Sequence, residues 1–577
     1  MSVLGKKWIV KSKGCDKPIL DVLLENRGVN TTEEKAQFLQ EAPSFHDPFL
    51  MKDMQKSVDR IMQAIEAKER IIIFGDYDVD GLTSSAILFH TLKTLGAEHS
   101  IRLPNREKDG YGLSKKFIDE FIKLNVKLII TVDTGISCTE EISYARENDI
   151  DTIITDHHQV PEIPPKDAHS INHPKQKDCN YPFEDLTGAG VALKLAHGLF
   201  VHNLGEKEAT NEIEPLIELA AMGTVADLGP AKGENRKIIK HGLRNLTTTS
   251  SPGLKILKEI AGIKPAEEVC PVKVGYRLAP RLNAAGRIGD PYTALKILIG
   301  TNDSEIYGHG KELEELNRRR QEMTQETLIQ AMHEFRKMDD QNALPFILVA
   351  KSTEWHVGIV GLTASRLAEN FGRPAIIFQD LGDTLVASAR SIEAFNIVEA
   401  IASQKELLIT FGGHKEAAGL TIKKENYKKF KEKIEKYAAK QLKNKDVRPS
   451  LEIDCELKGS SIKDELIEEI LKLKPFGITN KRPIFVIKNV KPKSISTVGR
   501  AGDHLKFEAE IGQVNMGAIG FRMGELAHTL RKHKSLDLAC HIDFNEWNGK
   551  KNIQAEVVDM KMSGGASSRV DNSGKKW

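Results

Sequence analysis

The sequence predicts a multidomain α/β protein: a parallel-sheet domain, a long connecting helix, a second α/β domain and a small C-terminal β-barrel. Three observations carry this. A chain of 577 residues exceeds what one hydrophobic core usually organises, so several domains of roughly 100 to 200 residues are expected. In the N-terminal half, β-branched runs alternate with helix-length segments, the pattern of strand–helix–strand units. Toward the C-terminus the pattern turns to short alternating runs, as in all-β modules.

The elements follow in chain order. Residues 1–49 form an N-terminal segment, whose opening stretch MSVLGKKWIVKSKG is basic and lacks an apolar run of signal-peptide length. The first domain, 50–300, brings the run RIIIF from Arg70, the acidic loop GDYDVDG and the helical stretch LTSSAILFHTLKTLG. The pattern recurs as KLIITVDTG with a helix around Glu140 to Asn148, and again as DTIITDHH. In parallel sheets the carboxyl ends of the strands open onto the binding crevice. All three strands release Asp or His at that end, so one site can collect them. Residues 301–340 predict the connecting helix. They contain no proline, are rich in Glu, Arg and Gln, and space Leu313, Leu316 and Met323 at roughly helical intervals. Residues 341–447 repeat the α/β pattern, with strands at PFILVAK, PAIIFQD and TLVASARS and glycine-rich loops at WHVGIVG and FGGHKEAAG. From 448 to 562, runs such as LEIDCEL, RPIFVIKNV, HLKFEAEIG and LDLACHIDF, with an Asn548-Gly549 hairpin turn, predict the barrel. Residues 563–577 lack periodicity and apolar content and read as a flexible tail.

Composition narrows the classes. Hydrophobic residues at 40% and charged residues at 28% exclude wholesale disorder. A net charge of +2 carries no signature of a nucleic-acid partner, which must be sought in local grooves. Cys15, Cys138, Cys179, Cys270, Cys455 and Cys540 show no zinc spacing and read as isolated thiols of a reducing compartment. No run approaches the ~20 apolar residues of a membrane helix. A cytoplasmic location without membrane association is expected.

The loop GDYDVDG sets Asp76, Asp78 and Asp80 at alternate positions beside an apolar strand. Such mutual repulsion is relieved by a divalent cation. An Asp-rich turn or a calcium loop is the alternative, but the bidentate Glu and flanking helices of an EF-hand are missing. Asp133 leaves the second strand, Asp156-His157-His158 the third, and Asp227 follows the helical ELAAMG. Asp133 alone would read as a helix cap. Together these carboxylates and imidazoles form a ligand set for two cations about 3.5 to 4 Å apart. Carboxylate-dominated ligation favours Mn²⁺ or Mg²⁺, and the histidine tilts the choice toward Mn²⁺.

GDYDVDG, VDTG, DHH and TVAD, in this order, resemble motifs I to IV of the DHH phosphoesterase superfamily. The resemblance implies Asp78, Asp80, Asp133, His157 and Asp227 as metal ligands, Asp133 bridging, with Asp76 assisting at the first metal. It also implies a catalytic set of Asp133, His157 and His158, the last lying against the scissile phosphate. Many superfamily members carry histidine four residues before the D-x-D pair, where this sequence has Phe74.

The motifs do not choose among pyrophosphatases, short-oligonucleotide or cyclic-dinucleotide phosphodiesterases and nucleases. GYRLAPRLNAAGRIGDP offers Arg277, Arg281 and Arg287, with Asn283, beside small residues suited to backbone approach by a phosphate chain. APRLNAAGR closely resembles the RecJ family, as do Trp355, His356 and Gly358. SARS at 388–391 and GGHKEAAGL at 412–420 resemble the DHHA1 domain. There Ser388, Arg390, Gly412, Gly413 and His414 make a clamp for a terminal phosphate. Residues 421–450 hold eleven basic against four acidic side chains, a composition more often a solvated face than a DNA contact. The C-terminal module resembles the OB-fold of RecJ proteins, with Phe485, Phe507, Phe521 and Trp547 as stacking candidates.

The resemblance implies a DHH domain, a DHHA1 domain and an OB-like barrel. Its activity is metal-dependent 5′-to-3′ hydrolysis of single-stranded DNA to mononucleotides, in DNA repair and recombination. The sequence identifies no protein partner. A phosphodiesterase of short oligonucleotides or cyclic dinucleotides would not need the barrel. An inactive replication scaffold would not need every motif Asp and His. Because the barrel region offers no metal-ligand set, truncation after Val447 is expected to spare cleavage of short oligomers.

Overall fold

Parallel pairing buries both faces of a strand, so such strands need unbroken apolar runs. The computed structural model places those runs in a five-stranded, all-parallel sheet. It describes residues 2–12, 17–40, 45–106, 108–110, 112–341, 343–547 and 550–562. Strand β1 (Lys7–Ser12) comes first in the chain and belongs to a different sheet. The parallel sheet comprises β2 (Arg70–Gly75), β3 (His99–Arg102), β4 (Val126–Val132), β5 (Asp151–Thr155) and β6 (Ser170–Asn172), in the order β3-β2-β4-β5-β6. Alternate residues of β2 face opposite ways. Ile71 and Ile73 join the large core under the helices Val79–Thr94, Gly188–Leu204 and Ile217–Ala226, whereas Ile72 and Phe74 join Phe117 and Phe121 on the other face. Phe74 is fully buried, its ring 5.2 Å from that of Phe117.

Two compact units account for the chain. One is residues 40–321 with 475–481, and the other is 1–39, 322–474 and 482–577. The first contains the parallel sheet. The predicted connecting helix is a helix of 38 residues, Asp303–Asp340.

The second unit contains two sheets. One is mixed: β7 (Leu348–Ser352) pairs parallel with β8 (Ala375–Asp380), then β9 (Thr384–Arg390), β11 (Ala417–Lys423) and β10 (Leu408–Gly413) continue antiparallel. The other contains β12 (Ser450–Glu456), β13 (Phe485–Val498), β14 (His504–Ile511), β15 (Val514–Gly520), β16 (Leu536–Trp547) and β17 (Lys550–Met562). Pairing runs β13-β14-β15-β17-β16 and returns from β16 to β13, which closes a five-stranded barrel. Closure removes the exposed edges of an open sheet. The Asn548-Gly549 turn and the tail 563–577 lie outside the described residues, as does Cys15.

Two sequence expectations are corrected. WHVGIVG is the start of the helix Val357–Phe371, with His356 as its N-cap accepting from Gly358 N–H at 3.0 Å. FGGHKEAAG is a hairpin in which Gly412 and Gly413 lie within β10. APRLNAAGR lies in the helix Ala279–Ile288, which continues directly from a π-helical turn, Val274–Leu278. The N-terminal segment also gains a role, because β1 pairs in parallel with β12 at the barrel's side. Among the described residues no helix is long and apolar enough to cross a membrane.

Candidate metal centre

Three of the five strands of the parallel sheet, β2, β4 and β5, are followed directly by an acid where their hydrogen-bond ladder stops. β2 is followed by Asp76, β4 by Asp133 and β5 by Asp156. Asp78 caps the helix Val79–Thr94, accepting from Gly81 N–H at 3.1 Å. Asp80, in the first turn of that helix, accepts from the Gly188 and Ala189 N–H groups at 2.6 and 3.0 Å, at the positive end of the helix Gly188–Leu204. Asp227 is the C-cap of Ile217–Ala226. Close approach requires glycine at two points. A Cβ on Gly188 would lie 2.6 Å from Asp133 Oδ1, and one on Gly223 would lie 2.5 Å from Asp80 Oδ1.

These side chains converge. His157 Nε2 is 3.1 Å from Asp133 Oδ1, 3.6 Å from Asp227 Oδ2 and 3.7 Å from Asp80 Oδ2. Among the described residues three groups have donor atoms close enough to share an ion: Asp76, Asp78 and Asp133; Asp80, His157 and Asp227; and Asp133, His157 and His158. Asp133 Oδ1 is buried without an aligned hydrogen bond, despite the nearby His157 nitrogen. A buried carboxylate oxygen left without a donor fits a cation ligand. Asp133 also holds a left-handed backbone, φ 59°, with its N–H on Thr155 O at 3.0 Å.

The electrostatics agree. Burial, then Asp78, pushes the Asp76 carboxyl up to about 8. The same two causes bring Asp227 to about 7. Burial and neighbouring carboxylates raise Asp80 and Asp133 well above the usual range. A divalent cation would favour the ionised forms. Burial, then His158, holds His157 down at about 3, which leaves it the neutral imidazole a metal requires.

His158 differs. Burial alone would lower it, but its Nδ1 lies 2.7 Å from Asp156 Oδ1, and that carboxylate lifts it to about 9. Asp156 is fixed by N–H groups of His157, His158 and Ile136 at 2.7, 3.0 and 3.0 Å. Its carboxyl is held below the ordinary range, burial being outweighed by His158 and these donors. Asp156 thus orients the histidine pair, a role missed in the sequence, although it is the first residue of the DHH motif itself. Lys175, which donates to His157 O at 2.7 Å, and Arg106, over the Tyr77 ring at 5.5 Å, were also missed, since no motif marks them.

The residues proposed for nucleic acid divide differently. Asn283 Oδ1 accepts from Val79 N–H at 3.2 Å and so braces the segment that carries Asp76, Asp78 and Asp80. The Arg281 guanidinium is held by Glu314, 2.6 Å from Nε, and by the Arg277 and Ile260 carbonyls. Arg277 donates to Gly262 O at 2.8 Å, and Arg287 is half-buried near Tyr77. In the second unit, Ser388, Gly419 and Gly412 align across three adjacent strands. A Cβ on Gly361 would meet Ser388 Oγ at 3.2 Å and Arg390 Nη2 at 3.3 Å, so both side chains overlie the helix that His356 caps. His414 lies in the adjoining turn, with its N–H on Ala417 O. Phe485 and Phe507 are core residues and Phe521 is half-exposed, while the Trp547 side chain lies outside the described residues.

Comparison with known proteins agrees with this architecture. The DHH family N-terminal domain matches residues 70–224, the DHHA1 domain 345–440 and the RecJ OB domain 453–559. The chain is 38% identical over 553 residues to the single-stranded-DNA-specific exonuclease RecJ of Bacillus subtilis, covering 95% of this chain and 68% of that protein. It is 32% identical to the Escherichia coli protein of the same name, covering 94% and 95%. Crystal structures of Thermus thermophilus RecJ superpose with TM-scores of 0.81 in complex with Mn²⁺ and 0.74 with Mg²⁺, at 28% and 26% identity. They cover 97% of this chain and 80% and 79% of theirs. With three domain models in order and 94–95% of its own length aligned to these two relatives at 32–38% identity, the chain belongs to the RecJ family of DHH phosphoesterases.

Proposed function

We infer that the chain is a metal-dependent exonuclease that degrades single-stranded DNA from its 5′ end to mononucleotides, in DNA repair and recombination. One observation carries the reading: carboxylates from separate elements converge with His157 on Asp133, whose inner oxygen is buried without a hydrogen bond. The relatives named as single-stranded-DNA-specific exonucleases, and the Thermus thermophilus RecJ structures with Mn²⁺ and Mg²⁺, support it.

In this reading Asp76, Asp78, Asp80, Asp133, His157 and Asp227 hold two cations, Mn²⁺ or Mg²⁺, with Asp133 bridging. The bound cations supply an activated water and neutralise charge on the phosphate oxygens. The remaining steps belong to the chain. Asp156 keeps His158 protonated and oriented, so the ring presents a positive charge and a donor to the scissile phosphate. Asn283 holds the loop that carries Asp76 and Asp78, and Gly188 and Gly223 let two helices close on the carboxylates. Ser388, Arg390, Gly412, Gly413 and His414, with His356, receive the 5′-terminal phosphate. Arg277 and Arg287 meet the strand's backbone, and Arg281, paired with Glu314, supports Arg277 by donating to its carbonyl.

Digestion of one single strand labelled at either end, with Mn²⁺, tests the reading. Labelled mononucleotide should appear from the 5′-labelled strand at the earliest times. Release from the 3′ label would reverse the polarity, and absence of metal-dependent cleavage would remove the nuclease assignment.

A further inference from the structure

The residue after the Asp227 carboxylate is anomalous. Leu228 has φ 58°, in the left-handed region. It closes the helix Ile217–Ala226 with a Schellman-type turn, in which Gly229 N–H bonds to Thr224 O at 2.8 Å and Leu228 N–H to Val225 O at 3.3 Å. The left-handed position of that turn is normally glycine, because a Cβ is crowded there. The glycine of this segment is one place later and is needed there: a Cβ on Gly229 would lie 2.7 Å from Thr187 Cγ2 and 2.9 Å from Thr224 Cγ2. Other non-glycine residues with positive φ among those described are polar or charged side chains and one alanine; Leu228 is the only branched aliphatic.

Burial does not compensate the strain, since Leu228 is 66% exposed. Strain of this kind persists where a surrounding structure imposes it for a purpose, and it clusters at ligand-binding sites. Here the imposing neighbours are Asp227, whose carboxylate is 3.6 Å from His157 Nε2, and Gly229, wedged against Thr187 at the start of the helix that supplies the Asp80 donors. An unpacked isobutyl group therefore stands at the rim of a cluster of carboxylates, where polar side chains would be expected.

Resting on the nuclease reading above, we propose that Leu228 is the apolar contact for the nucleobase of the nucleotide being removed, positioning that nucleotide over the metal centre. Every base has an apolar face, so such a contact orients the substrate without reading its sequence. It makes Leu228 a positioning residue for hydrolysis.

The test compares wild type, Leu228→Gly and Leu228→Asn on two single strands, one with an ordinary 5′-terminal nucleotide and one abasic at that position. Glycine and asparagine both suit the left-handed backbone and both remove the apolar contact. On the ordinary strand kcat/KM should fall on the order of ten-fold for both variants, equivalent to about 1.4 kcal/mol. On the abasic strand wild type and variants should be equal, and the melting temperatures of the variants should match or exceed that of wild type. An undiminished kcat/KM on the ordinary strand would overturn the inference, as would an equal loss on both strands. A melting temperature several degrees lower would make Leu228 a packing residue and overturn it too. A wild type inert on single strands would sink the nuclease reading and this inference together.

Discussion

At the scale of single residues, the site depends on one oxygen and one charge. Asp133→Ala should nearly abolish metal-dependent cleavage, since two of the three candidate ligand groups share that carboxylate. Calorimetric titration with Mn²⁺ should show weaker binding and fewer ions, and near-normal activity would remove the bridging role. Asp156→Asn leaves the shape and takes the charge away from His158. Turnover should fall about 10- to 100-fold, as is typical when a partner behind a functional ligand is changed, with circular dichroism unchanged. Full activity would show that the His158 charge is unused. The motif acids were legible in the sequence because strands of a parallel sheet must end at one edge, and an Asp after an apolar run marks that edge. The destinations of Asn283 and Arg281 were not legible. Whether an amide or guanidinium faces a ligand or a neighbouring backbone depends on what packs beside its helix, and here Val79 and Glu314 take them.

Among the elements, the helix Ile217–Ala226 bears a buried acid as well as delivering Asp227. Glu218 accepts from Thr249 Oγ1 at 2.9 Å, and burial raises its carboxyl to about 7, against opposing pulls from Thr249 and Lys258. A raised acid pKa means that the unfolded chain ionises first. Stability is unaffected below about 4.5, falls as pH rises from there to about 7, and is constant above, a loss of up to about 3 kcal/mol. Glu218→Gln keeps the acceptor for Thr249 without the charge. The variant should melt higher than wild type at about pH 8 and equally near pH 4.5, and a difference independent of pH would mean that Glu218 is not the titrating group. Periodicity revealed most strands and the 38-residue helix. It failed where glycine imitates a loop: Gly361 lies within the helix Val357–Phe371 and serves the close approach of Ser388, whose Oγ a Cβ there would meet at 3.2 Å.

For the whole molecule, the units are not consecutive stretches of chain. Residues 475–481 belong with 40–321: Ala231 N–H bonds to Ile478 O at 2.7 Å, and Arg236 Nη1 to Pro475 O at 3.2 Å. Truncation after Val447, expected from the sequence to spare cleavage of short oligomers, removes these bonds and also the partner of β1. The truncated chain should therefore melt at lower temperature and cleave even trinucleotides poorly, whereas unchanged turnover on trinucleotides would show that this segment is dispensable. Segment exchange of this kind was invisible to pattern reading, because KWIVKS alternates like any half-buried strand and nothing local names its partner.

The pairing of β1 with β12 also has a consequence in time. Lys7 is matched with Ser450, so roughly 440 residues must be synthesised between the two. At about 5–20 residues per second, a ribosome needs on the order of half a minute to a minute and a half to cover that distance. Throughout this interval a finished strand bearing Trp8 and Val10 waits without its partner, open to any other edge it meets. Of the two strands, the one made first thus waits for the other, and the nascent chain's exposure to chaperones is set by the distance between them.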